Sequence, residues 1–297
     1  MPPGLSVFDR LSHSRARLLG RLDLGRGRAA AVWSNDADRV RYENARLHTL
    51  SCYLQRGEES RRLDRGAVRG RPGALCLMPQ GASSDWGIGG AFRFVHLYLA
   101  DDRLRHFMAE TLDREPGGLD LPDLTFFDAP DMAAAMARLA RACDEDDVIG
   151  GGEILEELSF RLLTDPSLGG RPTRPLRGGL APQVSRRVIE AMRADLARTP
   201  SLEDLAAIAG LSPFHFQRMF RVSHGLTPAG HLEMLRVDAA RDLMRAGTGL
   251  AETALACGWS SQSHFTRAFR GATGVTPGAW RRAVAARPGS PTLVTET

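Results

Sequence analysis

The chain has 297 residues and not one lysine, so all 39 of its basic side chains are arginine. Schiff-base chemistry through a lysine is thereby excluded, and every basic contact falls to a guanidinium, which can grip phosphate or guanine with two parallel hydrogen bonds. No apolar run approaches the ~18 residues of a membrane-spanning helix, and the stretch Met1 to Arg17 lacks the hydrophobic core of a secretory signal. A cytoplasmic protein without a membrane partner is expected. Cys52, Cys76, Cys143 and Cys257 form no Cys-x-x-Cys pair, which argues against a disulfide framework or structural zinc and leaves them as small buried side chains. Neither a Gly-x-Ser-x-Gly elbow, a His-Glu-x-x-His pair nor a Gly-Lys-[Ser/Thr] loop is present, so hydrolase and nucleotide readings have no anchor.

What is present divides in two. Residues 1–165 carry 22 arginines against 26 acidic side chains, whereas residues 182–287 carry 14 against 8. The basic half suits a polyanion, and the acidic half serves another purpose. Between them the segment 167–181 is rich in Gly and Pro and reads as a linker, with Arg171, Arg174 and Arg177 within it. Domain boundaries are therefore placed at 1–166 and 182–287, and the tail 288–297 has too little to bury and is expected to be disordered.

In the first half, RLHTLSCYL, GALCLMP and FRFVHLYL are strand-like runs separated by glycine turns, as in an antiparallel barrel or sandwich. Three-and-four spacing then takes over in three helices, the last two near 131–143 and 152–163, which bury their stripes on the strands or on a second copy of the chain. Gly150, Gly151 and Gly152 read as loop glycines, and the cluster Asp144 to Asp147 as a solvated turn.

The second half contains a repeat. Leu202, Ala206 and Gly210 match Leu250, Ala254 and Gly258 at an offset of 48, and Phe216, Phe220, Gly225 and Pro228 match Phe265, Phe269, Gly274 and Pro277 at 49. Each copy spells a helix, a glycine turn and a second helix, and a helix near 229–246 joins the copies. In the first copy Ser212 is an N-cap, Pro213 takes the first helical position, and Phe216 and Phe220 turn inward, which leaves Phe214, Gln217, Arg218 and Arg221 outward. The second copy likewise turns Ser263, Thr266, Arg267 and Arg270 outward, with Gln262 at the first turn. Arginine can read guanine and glutamine adenine, and a rigid pair of such units could enter successive major grooves ~34 Å apart.

SLEDLAAIAGLSPFHFQRMFRVSHGLTP, LRVDAARDLM and ACGWSSQSHFTRAFRGATGVTPGAWRR resemble the DNA-binding domain of the AraC/XylS family of bacterial transcription regulators, from about Val184 to Arg282. The resemblance implies an α+β multidomain protein that binds promoter DNA and activates in the commoner case, with Phe214, His215, Gln217 and Arg218 facing one groove and Gln262, Ser263, His264, Thr266 and Arg267 the other. Ser261 is a further candidate contact, and a homodimer and RNA polymerase are the expected protein partners. The resemblance also implies an N-terminal cupin-like β-barrel with flanking helices, ahead of an all-α domain with two helix-turn-helix units. Thr253 stands where the family usually has Ile or Val, and Trp259 and Trp280 where it has Phe or Tyr.

Gly73, Pro79 and Gly81 fit a cupin spacing, but Ser84 replaces its metal-binding His and no His-x-His occurs, so neither metal nor other cofactor is expected. Trp33, His48, Trp86, Arg93, His96 and Tyr98 are candidate wall residues for an unknown small-molecule effector. A regulator without catalytic activity is the favoured reading. Its rivals are a metal-dependent cupin-type enzyme tethered to DNA, an effector-independent regulator and a binder indifferent to sequence.

Overall fold

A computed structural model describes residues 6–66, 69–112, 119–168 and 179–285. Contacts sort the chain into two compact units, residues 1–101 with 119–172 and residues 102–118 with 173–297. Most of the linker predicted at 167–181, with its three arginines, and the tail at 288–297 lie outside the described residues.

The first unit opens with α1 (Val7–Ser12), held by a reciprocal cap in which Ser6 accepts from the Asp9 amide and the Asp9 carboxylate accepts from the Ser6 amide. Eight strands follow: β1 (Arg17–Asp23), β2 (Ala29–Asn35), β3 (Asp38–Tyr42), β4 (His48–Gln55), β5 (Ser60–Arg62), β6 (Leu75–Met78), β7 (Ser84–Ile88) and β8 (Phe92–Leu99). After α2 (Asp101–Glu110) the chain returns as β9 (Leu124–Phe127) and ends the unit with α3 (Pro130–Glu145) and α4 (Val148–Thr164). All strand pairs are antiparallel, in a six-stranded sheet ordered β1-β2-β8-β4-β6-β9 and a three-stranded sheet ordered β3-β7-β5. Among the described residues the sheets do not close into one ring. The α+β class and the antiparallel pairing thus match the expectation from sequence, while barrel closure is not seen.

Both faces of the large sheet are covered. Trp33, Tyr53, Cys76, Phe94 and Tyr98 on one face join Val40 and Ile88 of the small sheet in a shared core. On the other face Val32, Leu50, Leu77, Val95 and Leu97 are fully buried, and α3 lies along β1, β2 and β8. Double coverage explains why the strand runs read as almost continuously apolar. Gly150 and Gly151 are not loop glycines as expected but lie, with Gly152, in the first turns of α4. A Cβ on Gly150 would sit 2.1 Å from the capping carboxylate of Asp147, and one on Gly151 would sit 2.8 Å from Leu22 of β1. Close packing of α4 on β1 therefore outweighs the cost of about 1 kcal/mol per helical glycine.

A buried arginine ties the two sheets together. Arg62 of β5, 2% exposed, donates to Asp64, to Asp123 just before β9 and to the Thr125 hydroxyl within β9. Burial alone would lower its pKa, yet the bonds to Asp123 and Asp64 raise it, so the guanidinium stays charged.

The second unit is helical: α2, α5 (Pro182–Ala194), α6 (Leu202–Ala209), α7 (Pro213–His224), α8 (Pro228–Arg245), α9 (Leu250–Ala256), α10 (Gln262–Thr273) and α11 (Pro277–Ala285). From sequence, α2 was expected on the strands or on a second copy of the chain, but His106 on α2 packs its ring 5.4 Å from that of His231 and bonds the carbonyl of His224 at 3.3 Å.

His96 makes the first unit sensitive to acid. Burial deprives its imidazolium of water and brings its pKa down from 6.5 to about 3. Between those values the unfolded chain binds a proton that the folded chain refuses, so stability is complete above neutrality and falls as pH drops through 6.5. Urea unfolding should find the unit about 2 kcal/mol less stable at pH 5 than at pH 7.5. His96→Gln should remove most of that difference, and an unchanged slope in the variant would assign it to other groups.

Candidate nucleic-acid interface

Each copy of the repeat folds by the same local rules. Ser201 caps α6 with Asp204, Gly210 ends the helix at φ 66°, and Ser212 caps α7 by accepting from the His215 amide. In the second copy Gly258 turns at φ 82° and Ser261 caps α10 through the His264 amide, one residue later than in the first. A Cβ on Gly258 would lie 2.3 Å from the Leu196 carbonyl, so glycine is required there both by conformation and by space.

Phenylalanines fix the rotation of both second helices. Phe216 and Phe220 are fully buried among Val188, Met192, Leu205 and Leu232. Their counterparts Phe265 and Phe269 are equally buried, the first 4.7 Å from the Trp259 ring and the second 6.0 Å from that of Trp280. With that face inward, the opposite one is presented to solvent. Ser212, Phe214, His215, Gln217, Arg218 and Arg221 are exposed on the first copy of the repeat, and Phe214 is 80% exposed despite its aromatic ring. Ser261, Gln262, Ser263, His264, Arg267 and Arg270 are exposed on the second. Pro213 and Thr266 are half-buried, and the Thr266 hydroxyl turns back to donate to the Gln262 carbonyl.

The arginines differ in whether they meet a carboxylate. In the first unit Arg39, Arg62, Arg71, Arg93, Arg138 and Arg161 all meet a carboxylate, and on α8 Arg241 and Arg245 pair with Asp238 and Asp242. The guanidinium groups of Arg218, Arg221, Arg267 and Arg270 have no hydrogen bond or ion pair among the described residues. Four exposed, uncompensated guanidinium groups on two capped helices form a surface complementary to a polyanion.

The candidate effector residues are scattered by strand alternation. Trp86 and His96 line a cavity of about 50 Å³ between the two sheets, together with Tyr42, Thr49, Ser51 and Tyr53, which the sequence reading did not single out. Trp33 and Tyr98 lie beside it in the core, where Trp33 donates to the Tyr98 hydroxyl and that hydroxyl meets His96 Nδ1, each at 3.1 Å. His48 and Arg93 sit on the opposite face of their strands, bonded to Asp101 and Asp144. Inward parity along β4 and β8 would have separated these sets. Among the described residues no three His, Cys, Asp or Glu side chains are grouped to hold a metal. All four cysteines are free and buried, and among the described residues no helix is long and apolar enough to cross a membrane.

Two capped helix pairs joined by one long helix define the class: a double helix-turn-helix domain. A family model described as a helix-turn-helix domain matches residues 205–283. The HTH-type transcriptional regulator GlxA of Rhizobium meliloti is 32% identical over 118 residues, 37% of this chain and 36% of that protein. The regulator RipA of Corynebacterium glutamicum is 35% identical over 127 residues, 43% of this chain and 36% of that protein. A solved transcriptional regulator from Chromobacterium violaceum, described by its AraC-type DNA-binding domain, is 30% identical over 36% of this chain and 96% of that one, with a TM-score of 0.34. The chain spans about a third of the length of these curated relatives. Residues 205–283 are an AraC-type helix-turn-helix domain.

Thr253 occupies in α9 the place that Leu205 holds in α6, and its hydroxyl is buried without a hydrogen-bond partner. Thr253→Val keeps the shape and removes the orphan group, so it should raise stability by about 1–2 kcal/mol. Thermal unfolding of the full chain checks this, and a lowered midpoint would mean that the hydroxyl is satisfied in solution.

Proposed function

We propose that the chain is a sequence-specific transcription regulator whose α7 and α10 enter successive major grooves of promoter DNA. The four unpaired arginines on the outward faces of these two helices carry the proposal. Arg218 and Arg267 occupy matching positions near the middle of each helix, suited to base edges, and Arg221 and Arg270 lie one turn on, suited to phosphate. Phe214, at the first turn of α7, offers an aromatic face to a thymine methyl.

The first unit acts in this reading as a sensor. Its facing sheets are a cupin-like sandwich without metal or catalysis, and an effector held there shifts the chain between forms of different DNA affinity. Dimerisation through α3 and α4, a cytoplasmic location and contact with RNA polymerase at activated promoters belong to the same proposal.

Selection from random duplexes with the full chain at near-physiological salt, followed by titration of the best site, tests it. Arg218→Ala and Arg267→Ala should each cost about 1–3 kcal/mol on that site and relax preference at one base pair. An equal loss on every duplex would make the arginine a phosphate contact, and a pool with no enriched sequence would overturn sequence-specific reading.

A further inference from the structure

Two readers on one chain keep a fixed spacing only if the second copy of the repeat is held against the first. The helix α8 packs on α7 in the first copy and on α9, α10 and α11 in the second. Between α8 and α9 the turn is Ala246, Gly247, Thr248 and Gly249, and its two glycines put little restraint on the angle between the helices.

One side chain touches the parts on both sides. Arg236, on α8, donates from Nε to the Leu196 carbonyl and from Nη2 to the Thr199 hydroxyl, each at 2.9 Å. Leu196 and Thr199 lie in the loop that leads from α5 into the first copy. The turn of the second copy closes on the same place: a Cβ on Gly258 would run into the Leu196 carbonyl and lie 2.6 Å from Arg236 Nη2 and 2.8 Å from the Ala197 carbonyl. The loop before the first copy, the joining helix and the turn of the second copy therefore meet at one guanidinium.

The partners of Arg236 are not those of a surface arginine. On the same helix Arg241 and Arg245 pair with carboxylates three residues before them, Asp238 and Asp242. Glu233 stands three residues before Arg236, yet this guanidinium has no ion pair among the described residues and turns to the loop instead. Burial draws its pKa below the usual arginine value, as for a cation that has exchanged water for protein acceptors. Beside it, walled by Met192, Leu202, Leu205 and Leu232, is a cavity of about 210 Å³. At this point hydrogen bonds rather than close packing tie the loop to α8.

We propose that Arg236 is a positioning residue that locks the second copy of the repeat against the first and so sets the spacing of the two half-sites. Its bonds are within the protein, and it acts on DNA through the placement of α10. This rests on the reading of α7 and α10 as a pair of groove readers. Such a lock raises the effective concentration of the second reader at its groove, at one spacing alone.

Three variants separate the possibilities. Arg236→Met keeps an apolar stem and removes both bonds, Arg236→Lys keeps the charge without the planar fork, and Thr199→Val removes one bond. The first measurement on the full chain needs no DNA. Spin labels on Glu203→Cys in α6 and Glu252→Cys in α9, both exposed whereas the four native cysteines are buried, report the distance between the copies. Wild type should give one narrow distance, Arg236→Met and Arg236→Lys a broadened distribution, and Thr199→Val an intermediate one. The second measurement moves the halves of the selected site two base pairs apart, which turns one half by roughly 70° around the duplex. Wild type should lose at least about tenfold in affinity. Arg236→Met should bind the selected site about three- to tenfold more weakly and lose less than about threefold on the altered one. Thermal unfolding confirms that each variant folds. An unchanged distance distribution in Arg236→Met would overturn the lock. Equal weakening at both spacings, restored by Arg236→Lys, would also overturn it and make Arg236 a charge contact to DNA. A wild type indifferent to spacing would overturn the two-groove reading, and the label distances would still decide whether Arg236 ties the copies together.

Discussion

Two phenylalanines four residues apart, used twice, set the geometry on which the DNA reading depends. Phe216 with Phe220 and Phe265 with Phe269 are fully buried, and residues four apart on a helix share one face. Once that face is anchored in a core, the rotation of the helix is no longer free. Gln217, Arg218 and Arg221 are then directed to solvent on α7, as are Ser263, Arg267 and Arg270 on α10. Side-chain caps at Ser212 and Ser261 fix where each helix begins, and α8 joins the two. The anchor is apolar and the reader polar, so the outward residues can vary in identity without disturbing the core that orients them.

Charge follows the same division. The first unit has a rich supply of arginine, and many of its guanidinium groups meet carboxylates, as Arg93 meets Asp144 and Arg161 meets Asp131. Surface pairs of this kind add little stability, but they cancel the field that would otherwise attract a polyanion. Arg62 is different, since burial makes its three-way link to Asp64, Asp123 and Thr125 a structural requirement. On α7 and α10 the guanidinium groups have no such partner among the described residues. A net charge of +4 conceals this contrast, which appears only when pairing is resolved residue by residue.

The repeat was legible in the sequence because glycine turns, serine caps and phenylalanine spacing are local and each leaves a fixed signature. Even the extra residue in the second turn could be counted before Gly258 and Ser261 were placed. The first unit was harder. Strand alternation is erased where both faces of a sheet are buried, as for Val95 and Leu97 beside Phe94 and Tyr98, so inward and outward residues could not be sorted and His48 and Arg93 joined the candidate wall. Gly150 and Gly151 resembled a loop because their helix is required by a neighbour, Leu22, distant in sequence. The return of the chain as β9, and the sheet-to-sheet link through Arg62 and Asp123, likewise depend on contacts that no local pattern records. Thr253 was noted as a departure from the family pattern, and its buried hydroxyl is the physical content of that departure.

If one rigid body carries two readers, the separation of their half-sites is fixed. The most direct test inserts five base pairs, about half a helical turn, between the two halves of the selected site and measures the affinity of the full chain. The account predicts a loss of at least about tenfold, recovered in neither half alone, because the second reader then faces the far side of the duplex. Unchanged affinity would mean that a single helix-turn-helix unit supplies the recognition, and that the second is bound to the first in sequence but not in function.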